Sequence, residues 1–242
     1  MRRFFLANLQ QAVLGAKEAH HALHVLRLKV GDTLNVFDGR GHEAQCLIAE
    51  TSKDAVHLKM LTQSATPALP CRITLAQAIP KKSMDLIVQK ATELGVACIV
   101  PLVSDRSVVK LDEDSKKADR WRDIALEACK QCGNNWLPEI QAPQMAHDYL
   151  SSLPTQDLKL IASLQPDSKP LKSILSDVPT LPRSHAPTVL LLIGPEGDFT
   201  PAELALAKSA GCLPLSLGPL VLRAETAAIY ALSILHHELQ TR

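Results

Sequence analysis

Ile193-Gly194-Pro195-Glu196-Gly197-Asp198-Phe199-Thr200-Pro201-Ala202-Glu203 decides the fold class. It closes an apolar run, Val189 to Ile193, that has the length and composition of a buried strand. Two glycines then bracket a loop. Thr200 stands as N-cap, Pro201 occupies the first helical position, where its missing N–H costs nothing, and Glu203 follows three residues after the cap. Strand, glycine loop and capped helix make a β-to-α unit. In an open α/β sheet the loop at the carboxyl end of a parallel strand is where ligands bind. Glycines there let backbone approach a ligand closely. The same residues equally suit a well-made turn with no ligand.

Outward from this unit the pattern repeats. Downstream, Leu213 to Leu217 is a strand candidate broken by Gly218-Pro219, and Ala224 to Leu239 has helical periodicity. Arg223 and Glu225 fall at that junction, near a helix N-terminus that favours anions. A solvated arginine with a first-turn glutamate is the plainer reading. Upstream, Leu158 to Leu164 is a buried-strand candidate, and a loop rich in Pro and Ser (Pro166 to Pro187) contains one expected short helix. Ser115 to Cys132 is amphipathic and stops at Gly133. Ile99 to Val103 is a short strand. Met84, Ile87, Val88 and Ala91 mark a helix ended by Gly95, preceded by a strand from Arg72 to Ile79. The alternation predicts an α/β domain with a largely parallel sheet covered on both faces.

The first seventy residues read differently. Val25–Leu28, Thr33–Phe37, Ala44–Ala49 and Ala55–Leu61 are strand candidates, with Asp38-Gly39 and Arg40-Gly41 as turn pairs. Thr62 to Pro67 reads as a linker. Two domains are therefore expected, 1–68 and 71–242.

Of the 242 residues 46 % are hydrophobic, 21 % charged and only 3 % aromatic, so the core must be aliphatic and broad aromatic stacking on nucleic acid is disfavoured. The net charge of +1 does not itself point to nucleic acid, although charge distribution matters more than its total. Residues 1–70 hold eight Lys/Arg against six Asp/Glu, a slight excess, plus His20, His21, His24, His42 and His57. No window has eighteen or more apolar residues, and Asn8, Gln10 and Gln11 interrupt the apolar start. The expectation is a cytoplasmic protein with no membrane association. Cys129 and Cys132 form a single C-x-x-C on one helix face, without the second pair that zinc usually needs. His20 with His24, and His236-His237 with Glu238, lack the H-E-x-x-H spacing. No metal is expected. Lys81-Lys82 and Lys116-Lys117 read as solvated helix ends, with RNA contact as the alternative.

Gly194-Pro195-Glu196-Gly197, together with Leu217-Gly218 and Leu222-Arg223-Ala224-Glu225-Thr226-Ala227, resembles the small-subunit ribosomal RNA methyltransferase E family, the uridine-N3 methyltransferases of the SPOUT superfamily. Three further stretches fit in order. One is His20-His21 with Val25-Leu26-Arg27 and Gly31-Asp32. Another is Gln89 to Val96, with Pro101 and Arg106-Ser107. The third is Arg120-Trp121 with Glu127-Ala128, Gln131-Cys132-Gly133 and Pro138-Glu139-Ile140. Each match is weak alone; together they span nearly the whole chain.

The resemblance implies a PUA-like β-barrel for RNA over residues 1–68. It implies a SPOUT domain over residues 71–242, with a trefoil knot that holds S-adenosyl-L-methionine (SAM) and acts as a homodimer. It places SAM against Leu164, against Gly194, Pro195, Glu196 and Gly197, and against Leu217, Gly218, Leu222, Arg223, Ala224 and Thr226. Arg223, Glu225 and Glu196 become the catalytic candidates, and Arg27, Arg106 and Gln131 the substrate contacts. The partner is 16S ribosomal RNA or the assembled small subunit. Other SPOUT reactions, on ribose or transfer RNA, and a non-catalytic RNA-binding protein are the alternatives. Two positions depart from the family pattern. Asp198 stands where a second glycine is usual, and Asn134-Asn135-Trp136 follows Gly133 where an arginine is common.

Overall fold

The computed structural model describes residues 2–107, 114–177 and 186–240. The chain divides into two units. The first is Met1–Ala68 with Leu126–Leu137, and the second is Leu69–Ala125 with Pro138–Arg242. The division thus differs from a single cut between 68 and 71, because Leu126–Leu137 groups with the first unit.

In the first unit β1 (Arg3–Phe5), β2 (Val13–Leu14), β3 (Thr33–Phe37), β4 (His42–Thr51) and β5 (Val56–Ala65) form one sheet in the order β1-β3-β4-β5-β2. Only the β1–β3 pair is parallel. Alternate residues face a common core: Leu34 and Val36, then Ala44, Cys46 and Ile48, then Val56 and Leu58. That period of two is what the alternating apolar pattern encodes. Two expectations fail here. Thr62 to Ala65 is not linker but the end of β5, pairing with His42 to Gln45, since a two-stranded ribbon can continue with polar side chains once register is set. Val25–Leu28 is not a strand. Helix α1 (Ala16–His20) runs on into a widened π turn, His21–Val25, which leaves Val25 60 % exposed and Leu28 buried.

The segment 133–137 is anchored by polar bonds within this unit. Asn135 is buried, donates to Thr66 Oγ1 at 2.7 Å and accepts from Arg3. Asn134 Oδ1 accepts from Trp136 N–H at 2.9 Å. A Cβ on Gly41 would lie 2.5 Å from the Trp136 ring, and Gly41 has φ 95°, so that turn position requires glycine. The Asn134 departure thus sits in a local Asx turn.

The second unit is a parallel sheet. Its strands are β6 (Arg72–Ala78), β7 (Cys98–Val103), β8 (Glu139–Ile140), β9 (Gln144–Met145), β10 (Leu158–Ala162), β11 (Lys169–Pro170), β12 (Thr188–Ile193) and β13 (Leu213–Ser216). The order is β11-β13-β10-β12-β6-β7-β8, with β9 also on β7. Its helices are α2 (Met84–Glu93), α3 (Asp114–Cys132), α4 (Ala146–Ser151), α5 (Leu171–Asp177), α6 (Pro201–Ser209) and α7 (Ala224–Gln240). The last seven residues of α3 group with the first unit. Helix α5 lies in the expected Pro/Ser-rich loop, of which residues 178–185 fall outside the described residues; so does the side chain of Lys116.

Ala76, Ala78, Val100, Leu102, Leu190 and Leu192 pack with Tyr149 and Leu150 of α4 and Leu204 and Ala207 of α6. The intervening Leu75, Ile99, Val189, Leu191 and Ile193 are equally buried. By the strand pleat they face the opposite side. Both faces are therefore covered, which explains runs such as Val189 to Ile193 with no polar residue. Strand β12 inserts between β10 and β6, and β13 lies on the far side of β10. Ile161 pairs with Leu192 and Ala162 with Leu215, so β10, β12 and β13 end side by side.

Candidate functional site

The loop after β12 is held by its own backbone. Asp198 N–H donates to Pro195 C=O at 2.9 Å, closing a turn, and Asp198 takes the left-handed conformation at φ 59°. Aspartate tolerates that region because its carboxylate can bond locally. Here Oδ1 accepts from Phe199 N–H at 2.7 Å, and Phe199 is buried beneath. The turn survives the departure from glycine. Gly194 has little room: a Cβ there would lie 3.2 Å from Asp198 Oδ1 and 3.3 Å from Phe199.

The expected capping box is present. Glu203 N–H donates to Thr200 Oγ1 at 3.2 Å, and Thr200 N–H donates to Glu203 Oε2 at 2.7 Å. Glu203 is 1 % exposed and also accepts from Asp105 N–H (3.2 Å) and Ser104 Oγ (3.4 Å). It pins the segment after β7 to the start of α6. The same segment supplies Arg106, whose Nη1 donates to Gly197 C=O at 2.7 Å. The segment after β7 thus holds the glycine loop at Gly197 and at the helix start that follows it.

Three strand ends enclose one cleft of about 600 Å³, counting its open mouth. From β10 come Ala162, Ser163 and Leu164; from β12 come Ile193, Gly194, Pro195, Glu196 and Asp198. The segment after β13 gives Leu217, Gly218, Leu220, Val221 and Leu222, and α7 gives Ala224 and Ala227. The lining is mostly aliphatic side chain and backbone, with Ser163, Glu196 and Asp198 as its polar members. The N–H groups of Ala224, Glu225 and Thr226 in the first turn of α7 have no intrahelical acceptor, as at any helix start. This is the carboxyl edge of a parallel sheet, beside the strand where the order reverses.

Most residues singled out from sequence meet here. Leu164, Gly194, Pro195, Glu196, Leu217, Gly218, Leu222 and Ala224 line the cleft. Gly197, Arg223, Glu225 and Thr226 flank it in the same loops without lining it. The exposed Arg223 guanidinium makes no hydrogen bond or ion pair among the described residues. Arg27 and Gln131 belong to the first unit, both exposed. Two contacts went unforeseen, both from the loop between β6 and α2. Lys81 N–H donates to Glu196 Oε1 at 3.1 Å, and Ser83 Oγ donates to Glu225 Oε2 at 2.9 Å. Both carboxylates are therefore held as acceptors by one short segment. No sequence spacing signals this, because the partners lie 115 and 142 residues away.

Among the described residues no group of three or more His, Cys, Asp or Glu could hold a metal ion, and no helix is long and apolar enough to cross a membrane.

Comparison with known proteins gives a consistent answer. Residues 67–236 match the RNA methyltransferase domain family, and residues 14–61 match the RNA methyltransferase PUA domain family. The ribosomal RNA small subunit methyltransferase E of Bacillus subtilis is 31 % identical, over 98 % of this chain and 97 % of the relative. A crystal structure of a ribosomal RNA small subunit methyltransferase E from Neisseria gonorrhoeae, bound to S-adenosyl methionine, is similar with a TM-score of 0.85 at 30 % identity, covering 98 % of both chains. A Legionella pneumophila structure in complex with the bound cofactor SAM gives 0.88 at 37 % identity, again over 98 % of both.

Proposed function

Because this chain belongs to the ribosomal RNA small subunit methyltransferase E family, we propose that it transfers a methyl group from SAM to N3 of a uridine in 16S ribosomal RNA. It is a SAM-dependent ribosomal RNA methyltransferase. The observation that carries the assignment is the three-loop cleft at the ends of β10, β12 and β13. Its largely aliphatic walls, close-approach glycine and helix-start amides without intrahelical acceptors fit a nucleoside-bearing ligand read through backbone.

SAM supplies an electrophilic methyl group, so what falls to the protein is positioning and charge management. Leu164, Gly194 to Gly197 and Leu217 to Ala224 would hold the cofactor through their backbone. Uridine N3 carries a proton at neutral pH, and its anion spreads over the flanking carbonyl oxygens. Arg223, exposed beside the cleft and with no hydrogen bond or ion pair to its guanidinium among the described residues, is placed to favour that anion. Glu196 and Glu225 each accept a hydrogen bond from the β6–α2 segment, which supports an orienting role for both.

The first unit serves as the RNA-binding PUA-like domain, and the second carries the trefoil knot of the SPOUT superfamily. The protein works in the cytoplasm as a homodimer. Support for the dimer comes from apolar surface around the cleft and α7: Leu220 is 73 %, Val221 78 % and Tyr230 46 % exposed. Incubation with labelled SAM and undermethylated small subunits or free rRNA, followed by nucleoside digestion, tests the reading. Label in 3-methyluridine is expected; label in a ribose-methylated nucleoside, or none, overturns it.

A further inference from the structure

Helix α1 does not stop at His20 but widens into the π turn, where Leu26 N–H donates five residues back to His21 C=O at 3.0 Å. Such turns often mark functional sites. The His21 ring is fixed edge-on against Phe4, with centroids 5.7 Å apart. His20 and His24 are instead exposed, with ring centroids 4.9 Å apart and tilted 43°. Immediately after them Arg27 takes φ 53°, a left-handed conformation that non-glycine residues rarely adopt, and it too is exposed.

The charge around this face is one-sided. Between Gly15 and Gly31 the sole acid is Glu18. Its carboxylate is bound by Lys130 at 2.6 Å, with both side chains largely buried. Asp32, just beyond, accepts from Lys29 N–H and from Arg2. No other carboxylate of the segment competes with an anion for Arg27.

Flat rings are scarce in the first unit. Phe4 and Phe37 are fully buried, the half-buried Phe5 is engaged edge-on with Phe37 at 5.6 Å between centroids, and the Trp136 indole packs at Gly41 and donates to Thr66 C=O. The remaining exposed imidazoles are separate: His42 is held by Asp38 at 2.8 Å, and His57 lies on β5. His20 and His24 are the imidazoles that come as a pair.

We propose that His20, His24 and Arg27 form a docking point for single-stranded RNA, the imidazole pair stacking on an unpaired base and Arg27 taking the adjacent phosphate. The proposal rests on the RNA-methyltransferase reading and adds the face and the strandedness of the RNA. Unstacked bases pack on histidine rings as on other aromatic side chains, whereas a duplex keeps its bases inside.

The test is fluorescence anisotropy on the full chain, with a labelled uridine-rich single strand and with the same strand in a duplex. The double variant His20→Ala/His24→Ala should bind the single strand on the order of tenfold or more weakly and the duplex as before, as expected for lost base stacking. His20→Phe/His24→Phe should restore most of the single-strand affinity, because it keeps ring faces and discards any imidazole charge. His57→Ala is the control and should change nothing. Unchanged single-strand binding in the alanine variant, equal losses for single strand and duplex, or failure of the phenylalanine variant to rescue would each overturn the proposal. SAM titration of the wild-type chain runs alongside. Its failure would instead remove the methyltransferase reading, which the anisotropy result does not address.

Discussion

Replacing Asp198 separates two contributions to the glycine loop. Asp198 holds φ 59° and its Oδ1 accepts from Phe199 N–H at 2.7 Å. Asp198→Ala loses both the tolerance for the left-handed backbone, about 1–2 kcal/mol, and the hydrogen bond, about 1–3 kcal/mol when the part-buried donor is left unsatisfied. The sum is about 2–5 kcal/mol, a large share of the ~5–15 kcal/mol typical of a folded protein. Asp198→Gly loses the same hydrogen bond but removes the backbone strain, so its net loss should be about 1 kcal/mol. Urea unfolding at unchanged m-value gives the stability order, and a SAM titration gives the effect on the cleft, which Asp198 lines. The expected order in both is wild type, then Gly, then Ala. An alanine variant as stable and as tight for SAM as the glycine variant would refute the strain argument.

Other outcomes follow from the same geometry. Gly194→Val should abolish SAM binding in a folded protein, because even a Cβ would sit 3.2–3.3 Å from Asp198 and Phe199; unchanged affinity by calorimetry would reduce the loop to a mere turn. Arg223→Ala should leave SAM affinity intact and lower turnover about a hundredfold, the usual loss for one electrostatic contact, while Arg223→Lys should recover little; near-normal turnover at saturating RNA removes Arg223 from the mechanism. Glu203→Ala should cost about 2–4 kcal/mol, since it removes half of the capping box and leaves the buried Ser104 hydroxyl and the part-buried N–H groups of Thr200 and Asp105 without their acceptor; a loss under about 0.5 kcal/mol in urea unfolding would contradict that pinning. Only Cys132 is exposed among the six free thiols, while burial raises the thiol pKa of Cys71 and Cys212 to about 11 and of Cys98 and Cys129 to about 12. One fast-reacting thiol per native chain is therefore expected with a disulfide reagent near pH 8, and two or more would show that the buried thiols are accessible.

What the sequence made legible was local. The Val189–Ile193 run, the turn glycines and the Thr200–Glu203 box each encode their conformation within a few residues, and the periodicity of α2, α3 and α7 encodes their buried faces. The insertion of β12 between β10 and β6 is a long-range choice that no short pattern carries. Strands β8, β9 and β11 have two residues each, too few to show a period. Val25–Leu28 reads as β because Val and Leu suit either state, and burial of Leu28 under a continuing helix decided it. Asn135 could not be assigned to the first unit from sequence, since its partners Arg3 and Thr66 are distant in the chain. The cleft's walls were legible through their glycines and Leu222–Ala224. The clamp on Glu196 and Glu225 by Lys81 and Ser83 was not.

The loops ending β10, β12 and β13 are proposed to hold the methyl donor. Calorimetric titration of SAM into the wild-type chain and into Gly194→Val tests this most directly. Saturable binding of SAM to the wild type, displaced by S-adenosylhomocysteine and absent from a Gly194→Val protein that unfolds cooperatively, is the predicted result. Equal binding by both proteins, or none by the wild type, would contradict it.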